Sequence, residues 1–199
     1  MTMKKYLFTA LAGLLALAAC GNKQTQSAEA PAADSLQAVS VVQEEDATYF
    51  PAINRFLVDS ISVQYAEAEI RVPLPTVVAV DESNGEDIKV WGEFWVMNFN
   101  LVGDTLKMVS GGSHAGLMHI RQTEKGYTVT GFDQVGDGSL FEKTAKKIFG
   151  DKYDAFIAVY SDHVKRNRHH ENLLSEYVKK HHLTVTMYQD NGQEAKPLK

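Results

Sequence analysis

The 199-residue chain contains a single cysteine, Cys20. One thiol excludes an intramolecular disulfide framework and any zinc site built on paired cysteines. Five prolines and 14 glycines are too few for a collagen-like or low-complexity chain. Positive charge is in deficit: 20 Lys and Arg against 25 Asp and Glu leave a formal charge of −5. That balance argues against a nucleic-acid partner, because phosphate neutralisation needs a basic face. No apolar run reaches the roughly 20 residues of a membrane-spanning helix. The chain has no Gly-x-Ser-x-Gly elbow, His-Glu-x-x-His pair, Walker phosphate loop or Cys/His protease pattern. No catalytic residue and no cofactor is therefore assigned. With 44% apolar and 23% charged residues, the length suits one folded domain.

The N-terminus carries the most specific pattern. Lys4 and Lys5 precede 14 uncharged residues, 6–19. This fits the n- and h-regions of a secretory signal peptide and is too short to span a bilayer. The run ends in Leu17, Ala18, Ala19, Cys20 and Gly21, which resembles the lipobox of bacterial lipoproteins. The resemblance implies that residues 1–19 are a signal peptide removed at maturation. It also implies that Cys20 becomes the lipidated first residue, carrying acyl chains such as palmitate. Each buried CH₂ contributes about 0.8 kcal/mol, so several chains anchor stably where one does not. Cleavage would leave 18 basic and 25 acidic residues, a net charge of −7, which stands off an anionic membrane. The expected location is the bacterial cell envelope. Gly21 is not the Asp that retains such lipoproteins at an inner membrane, so the outer membrane is favoured where two exist.

Residues 20–46 are rich in Ala, Ser, Gln and Glu without an aromatic residue, and read as a lipidated start and a tether. A helix over 35–45 is the alternative for part of that stretch. Residues 47–199 read as one α+β domain. Tyr49, Phe50, Ile53, Phe56, Leu57 and Ile61 recur at helical spacing and predict a helix over 48–65, with Pro51 in its first turn. Residues 70–80 predict a strand that Pro73 and Pro75 confine to an edge or a bulge. Asn84 and Gly85 mark a turn. Residues 88–101 form the strongest strand, with Trp91, Trp95, Met97, Phe99 and Leu101 on one face and Val90, Phe94 and Val96 on the other. Gly103 and Asp104 predict a hairpin into 106–109, and Glu124–Lys125–Gly126 a second one between strands at 117–122 and 127–135.

Helical spacing returns after Ser139, which with Glu142 forms a capping-box pattern, and Gly150 is a stop. A second helix is expected from Asp151, burying Phe156, Ile157, Tyr160 and Val164. A third places Leu173, Leu174, Tyr177, Val178 and His181 together. Residues 183–188 alternate as a final strand before a polar tail. The expected architecture is a twisted antiparallel meander with an N-terminal helix and C-terminal helices packed on it. A cystatin-like or NTF2-like cone is one member of that class, by analogy.

Candidate chemistry is sparse. Residues 110–116, SGGSHAG, read as a bulged loop between strands; the Lys and following helix of a phosphate loop are missing. None of the seven histidines is spaced for zinc, so no metal is assigned and a metal site requires tertiary convergence. The locally basic stretch 162–171 reads as a solvated helix face or a connection between helices. Residues 88–150 have a weaker similarity to an exported domain of antirepressor-like bacterial proteins, through Ser110–Ser113, Gly126–Tyr127, Asp137–Gly138–Ser139 and Lys147–Ile148. That likeness implies a non-catalytic role and carries over no site residue.

The leading expectation is a lipid-anchored, non-catalytic domain that binds a small ligand or an envelope protein. Trp91, Trp95, His114 and His119 are its candidate binding residues. The rival expectation is an envelope hydrolase pairing His114 or His119 with Asp133 or Asp137, whose side chains would have to converge in one cleft. A structural lipoprotein is the third.

Overall fold

The computed structural model describes residues 48–199, which belong to one unit. Cys20, the apolar leader, the tether and the alternative helix at 35–45 lie outside the described residues. The chain order is helix α1 (Phe50–Phe56), strands β1 (Ile70–Asp81), β2 (Ile88–Val102), β3 (Thr105–Thr123) and β4 (Gly126–Gln134). Helices α2 (Phe141–Phe149), α3 (Tyr153–Ser161) and α4 (His163–Lys180) follow, then short strands β5 (Met187–Gln189) and β6 (Lys196–Pro197). The fold is α+β: a curled sheet with helices packed against it. Among the described residues, no helix is long and apolar enough to cross a membrane.

The alternation in β2 organises the domain. Val90, Phe94 and Val96 point into a core shared with Phe50, Ile53, Leu57 and Ile61 of the N-terminal helical segment. Trp91 points to the opposite face, against Ala145, Phe149 and Phe156 of α2 and α3. Trp95, Met97 and Phe99 share that opposite face under Leu174 and Val178 of α4. Helices therefore cover both sides of the central strand, which is why its two sequence faces are both apolar.

The N-terminal helix departs from the single helix expected over 48–65. After Phe56 the backbone widens into a π-turn (Leu57–Ile61) and tightens into a 3₁₀ turn (Ser62–Gln64). The apolar steps from Ile53 to Leu57 to Ile61 are each four residues, more than the 3.6 of an α-turn. The wider turn takes up the excess and keeps Ile61 in the core.

β1 is the edge strand its prolines require. Among the described residues it pairs with β2 alone, and it is bulged between Val77 and Ala79. The expected break at residues 110–116 is not a loop. β3 runs unbroken from Thr105 to Thr123, pairing with β2 from Thr105 to Ile120 apart from a bulge opposite Asn98 and Phe99. Its glycines serve close packing: a Cβ at Gly112 would strike the Tyr65 hydroxyl, and one at Gly116 would strike the Asp133 carbonyl. On the far side of β3, β4 pairs with residues 116–123 and β5 with residues 105–107.

β5 pairs parallel to β3, so the sheet is mixed rather than a pure meander, and the strand expected over 183–188 shrinks to Met187–Gln189. Asp104 fixes this entry. Its carbonyl accepts from the Thr186 and Met187 amides, and its carboxylate from the Thr186 hydroxyl at 2.8 Å.

The helix starts also differ from expectation. Ser139 lies in a 3₁₀ turn and makes no cap; instead the Thr144 hydroxyl accepts the Gly136 amide at 2.8 Å. Asp151 sits in another 3₁₀ turn, and the helix after it ends at Ser161. Asp162 caps the next helix by accepting the Lys165 amide at 2.9 Å. Val164 therefore belongs to α4 and is exposed, not buried. The basic stretch 162–171 forms the start of α4, and it is not wholly solvated, because Arg166 and His170 turn inward.

Candidate functional site

Glu93 sits in β2 on the same face as Trp91 and Trp95, and its side chain is fully buried. The Trp95 indole N–H donates to Glu93 Oε1 at 2.9 Å, and the Ser113 hydroxyl donates to the same oxygen at 3.0 Å. Arg166 of α4 brings a guanidinium nitrogen to 3.7 Å from that oxygen and lies over the Trp95 ring at 5.5 Å. Arg166 also donates to the Tyr160 carbonyl at 2.7 Å, which holds it at the α3–α4 break. Among the described residues nothing bonds Glu93 Oε2.

One turn along α4, His170 packs edge-on against Trp95 with ring centroids 5.3 Å apart. It is 7% exposed, and its Nε2 has no partner among the described residues. Burial is the main reason its pKa falls to about 3, with the charges of His169 and Arg166 adding to the effect. The ring is therefore a neutral imidazole near neutral pH.

His170 lines a partly open cavity of about 70 Å³ between the sheet and α4. Leu74, Met97, Phe99 and Met108 form its sheet wall; Asn167, Glu171 and Leu174 join His170 on the helix wall. The segment after β5 supplies Asp190 and Gln193, and β6 supplies Lys196. Tyr188 closes one side by donating to Glu171 Oε1 at 2.8 Å; burial first and this bond second raise the phenol's pKa, and the bond lowers the carboxyl's. A wider depression of about 590 Å³ lies at the C-terminal end of α4, but it is an open surface hollow bordered by Lys179 and Lys199.

The four residues singled out in the sequence do not gather in one place. Trp91 is a packing and anchoring group: its indole N–H donates to the Ile148 carbonyl at 2.9 Å and Lys152 lies over its ring. Trp95 stands between Glu93 and His170. His114 faces the α1 side, where its Nε2 lies 2.8 Å from the Tyr65 hydroxyl. Burial lowers its pKa, opposed by Gln134 and the charge of Asp137. His119, of opposite strand parity, lies between two carboxylates, with Nδ1 2.7 Å from Asp87 and Nε2 3.5 Å from Asp133. Of the pairings in the hydrolase expectation, His119 and Asp133 come together, while His114, which feels the charge of Asp137, lies on the opposite face of the sheet.

Glu93, Arg166, His170, Met97 and Met108 were missed in the sequence. One signal for Glu93 was present: a lone carboxylate between Trp91 and Trp95, on the strand face that also carries Met97 and Phe99. No family model, curated protein or solved structure matches the chain.

Proposed function

We propose that this protein is a non-catalytic binding domain displayed at a bacterial cell envelope through a lipidated Cys20. The observation that carries the binding reading is the cavity under α4, lined by apolar side chains and by His170, whose buried Nε2 has no partner among the described residues. Buried polar atoms are nearly always satisfied, and an exception calls for a reason, of which a bound ion is one. The cavity volume sets a scale. It is well below the roughly 300–1,000 Å³ of drug-sized pockets, so the ligand is an ion or a molecule of a few heavy atoms.

Two measurements test the reading. Mass spectrometry of the protein extracted from its native membrane should find an N-terminus at Cys20 with added acyl mass. A bare thiol in a chain that starts at Met1 would refute the anchor. For the domain, the full chain labelled at its methionine methyl groups should respond at Met97 and Met108 to compounds in a panel of small ligands. Methyl signals unmoved by every ion and molecule tried would refute the binding role.

A further inference from the structure

Met97, Met108 and His170 share one cavity wall space for a geometric reason. Met97 is the cross-strand partner of Gly111, and Met108 the partner of Phe99, so the bulge between them puts both methionines on the α4 side. The Met108 methyl lies 3.2 Å from where a Cβ on Gly111 would stand, and the Met97 Cα is 3.0 Å from the same point. The bare backbone at Gly111 thus lets Met108 reach across to Met97. His170 descends from α4 beside Trp95, two residues before Met97 on the same strand face. The side chains of Met97, Met108 and His170 therefore line the same space of about 70 Å³, and among the described residues nothing bonds the buried His170 Nε2.

We infer that this cavity is a binding site for a soft monovalent metal cation of the Cu(I) class, held by Met97, Met108 and His170. The inference rests on the binding role proposed above and names its ligand. Thioether and neutral imidazole donors suit Cu(I), whereas Mg²⁺ and Ca²⁺ want oxygen. Among the described residues, no three His, Cys, Asp or Glu side chains group closely enough to hold a metal, so the usual zinc donor set is not assembled. Charge points the same way. Arg166 stands beside the site but is balanced by Glu93, and in the lining the carboxylates of Glu171 and Asp190 are offset by Lys196 and by Lys199, 3.3 Å from Glu171. A single positive charge is tolerated there better than two.

The test uses the full chain in detergent micelles, with Cys20→Ser to remove the competing thiol and methionine methyl groups labelled with ¹³C. Ag(I) serves as a redox-inert probe. One equivalent should shift the methyl signals of Met97 and Met108 and leave Met118, buried on the opposite face, and Met187 of β5 unmoved. Under anaerobic reducing conditions the protein should withdraw one equivalent of Cu(I) from a coloured chelator, and Zn(II) should shift neither methyl.

The double variant Met97→Leu/Met108→Leu keeps the side-chain volume, so its melting temperature should change little. Its affinity for Ag(I) should fall by at least about 100-fold, since outer-shell changes alone cost metal sites 10–100-fold. If that variant fails to fold, either single Met→Leu variant gives the same reading. The inference is overturned if Ag(I) leaves Met97 and Met108 unmoved, if Met187 responds equally, or if the folded variants bind unchanged. Should Ag(I) fail while small organic molecules still shift the two methyls, the metal falls and the binding role stands; silence from every probe removes both.

Discussion

Removing Arg166 should expose how the domain tolerates a charge in its interior. Glu93 has no solvent contact, and both of its neutral hydrogen bonds fall on Oε1. Arg166, with its side chain 13% exposed, is the cation that stands against it. An Arg166→Met variant keeps much of the packing over Trp95 but strands the carboxylate, which typically costs 3–5 kcal/mol. The lost hydrogen bond to the Tyr160 carbonyl adds about 1 kcal/mol. At roughly 3 °C per kcal/mol for a domain of this size, the melting temperature should drop by about 12–18 °C. Glu93→Gln in the same background removes the charge yet keeps an oxygen for Trp95 and Ser113. The double variant should therefore recover a good part of the loss, with a coupling energy of about 2 kcal/mol. Thermal unfolding followed by circular dichroism on the four proteins of the cycle measures this. A single variant that loses less than about 1 kcal/mol, or a double variant less stable than Arg166→Met, would refute the reasoning.

Three further outcomes follow from the same contacts. His170 is depressed to about 3 in the folded chain against 6.5 unfolded, so the unfolded state takes up the proton first and stability falls as pH drops from 6.5 towards 3. His170→Leu should flatten that acid limb in a denaturant series, by on the order of 5 kcal/mol at most across the window; an unchanged limb would assign it elsewhere. Gly116→Ala should destabilise more than Gly112→Ala, because the first drives a methyl into the Asp133 backbone carbonyl and the second into the end of the Tyr65 side chain. Overpacking of this kind costs about 1–3 kcal/mol, and paired urea melts in the reverse order would contradict the contact. Phe156→Ala should lose about 3–5 kcal/mol, since Phe156 is fully buried and stacked on Phe149 at 4.0 Å; a loss under 1 kcal/mol would mean α3 does not hold α2 to the sheet.

Much of the fold was legible because apolar alternation and turn chemistry act locally. The two faces of β2 follow from strict period two between Ile88 and Leu101, and the edge position of β1 from prolines that cannot donate to a ladder. The π-turn after Phe56 was not legible, since a helix of four-residue steps looks like an ordinary one until the sheet demands Ile61. Residues 110–116 misled for a physical reason: glycine signals either a turn or a close approach, and only the positions of Tyr65 and Asp133 decide between them. Caps behaved alike. Asp162 and Asp151 each offer a carboxylate before a helix, yet only Asp162 meets a free amide. The candidate site was almost wholly illegible, because its residues come from β2, β3 and α4 and share no local spacing.

The polar set under α4 is costly for a domain that needs only to fold. The unbonded Glu93 Oε2 and His170 Nε2 each forgo about 1–3 kcal/mol that a leucine in the same place would not. Two explanations divide on one variant. If the set serves only to fix how α4 crosses the sheet, Glu93→Leu/Arg166→Met should blur the packing of α4, seen as lost methyl dispersion at Leu174 and Val178, and Ag(I) binding should fall with it. If the set flanks a site, the same variant should be as stable or more so, keep α4 in register, and alter Ag(I) affinity only as far as the charges beside Trp95 reach His170. Arg166 lies on the same helix face one turn before His170, so losing its charge should strengthen cation binding, and losing Glu93 should weaken it by a similar amount. A near-null change in affinity with full retention of fold is thus the signature of a site, and a joint loss of fold and affinity is that of a brace.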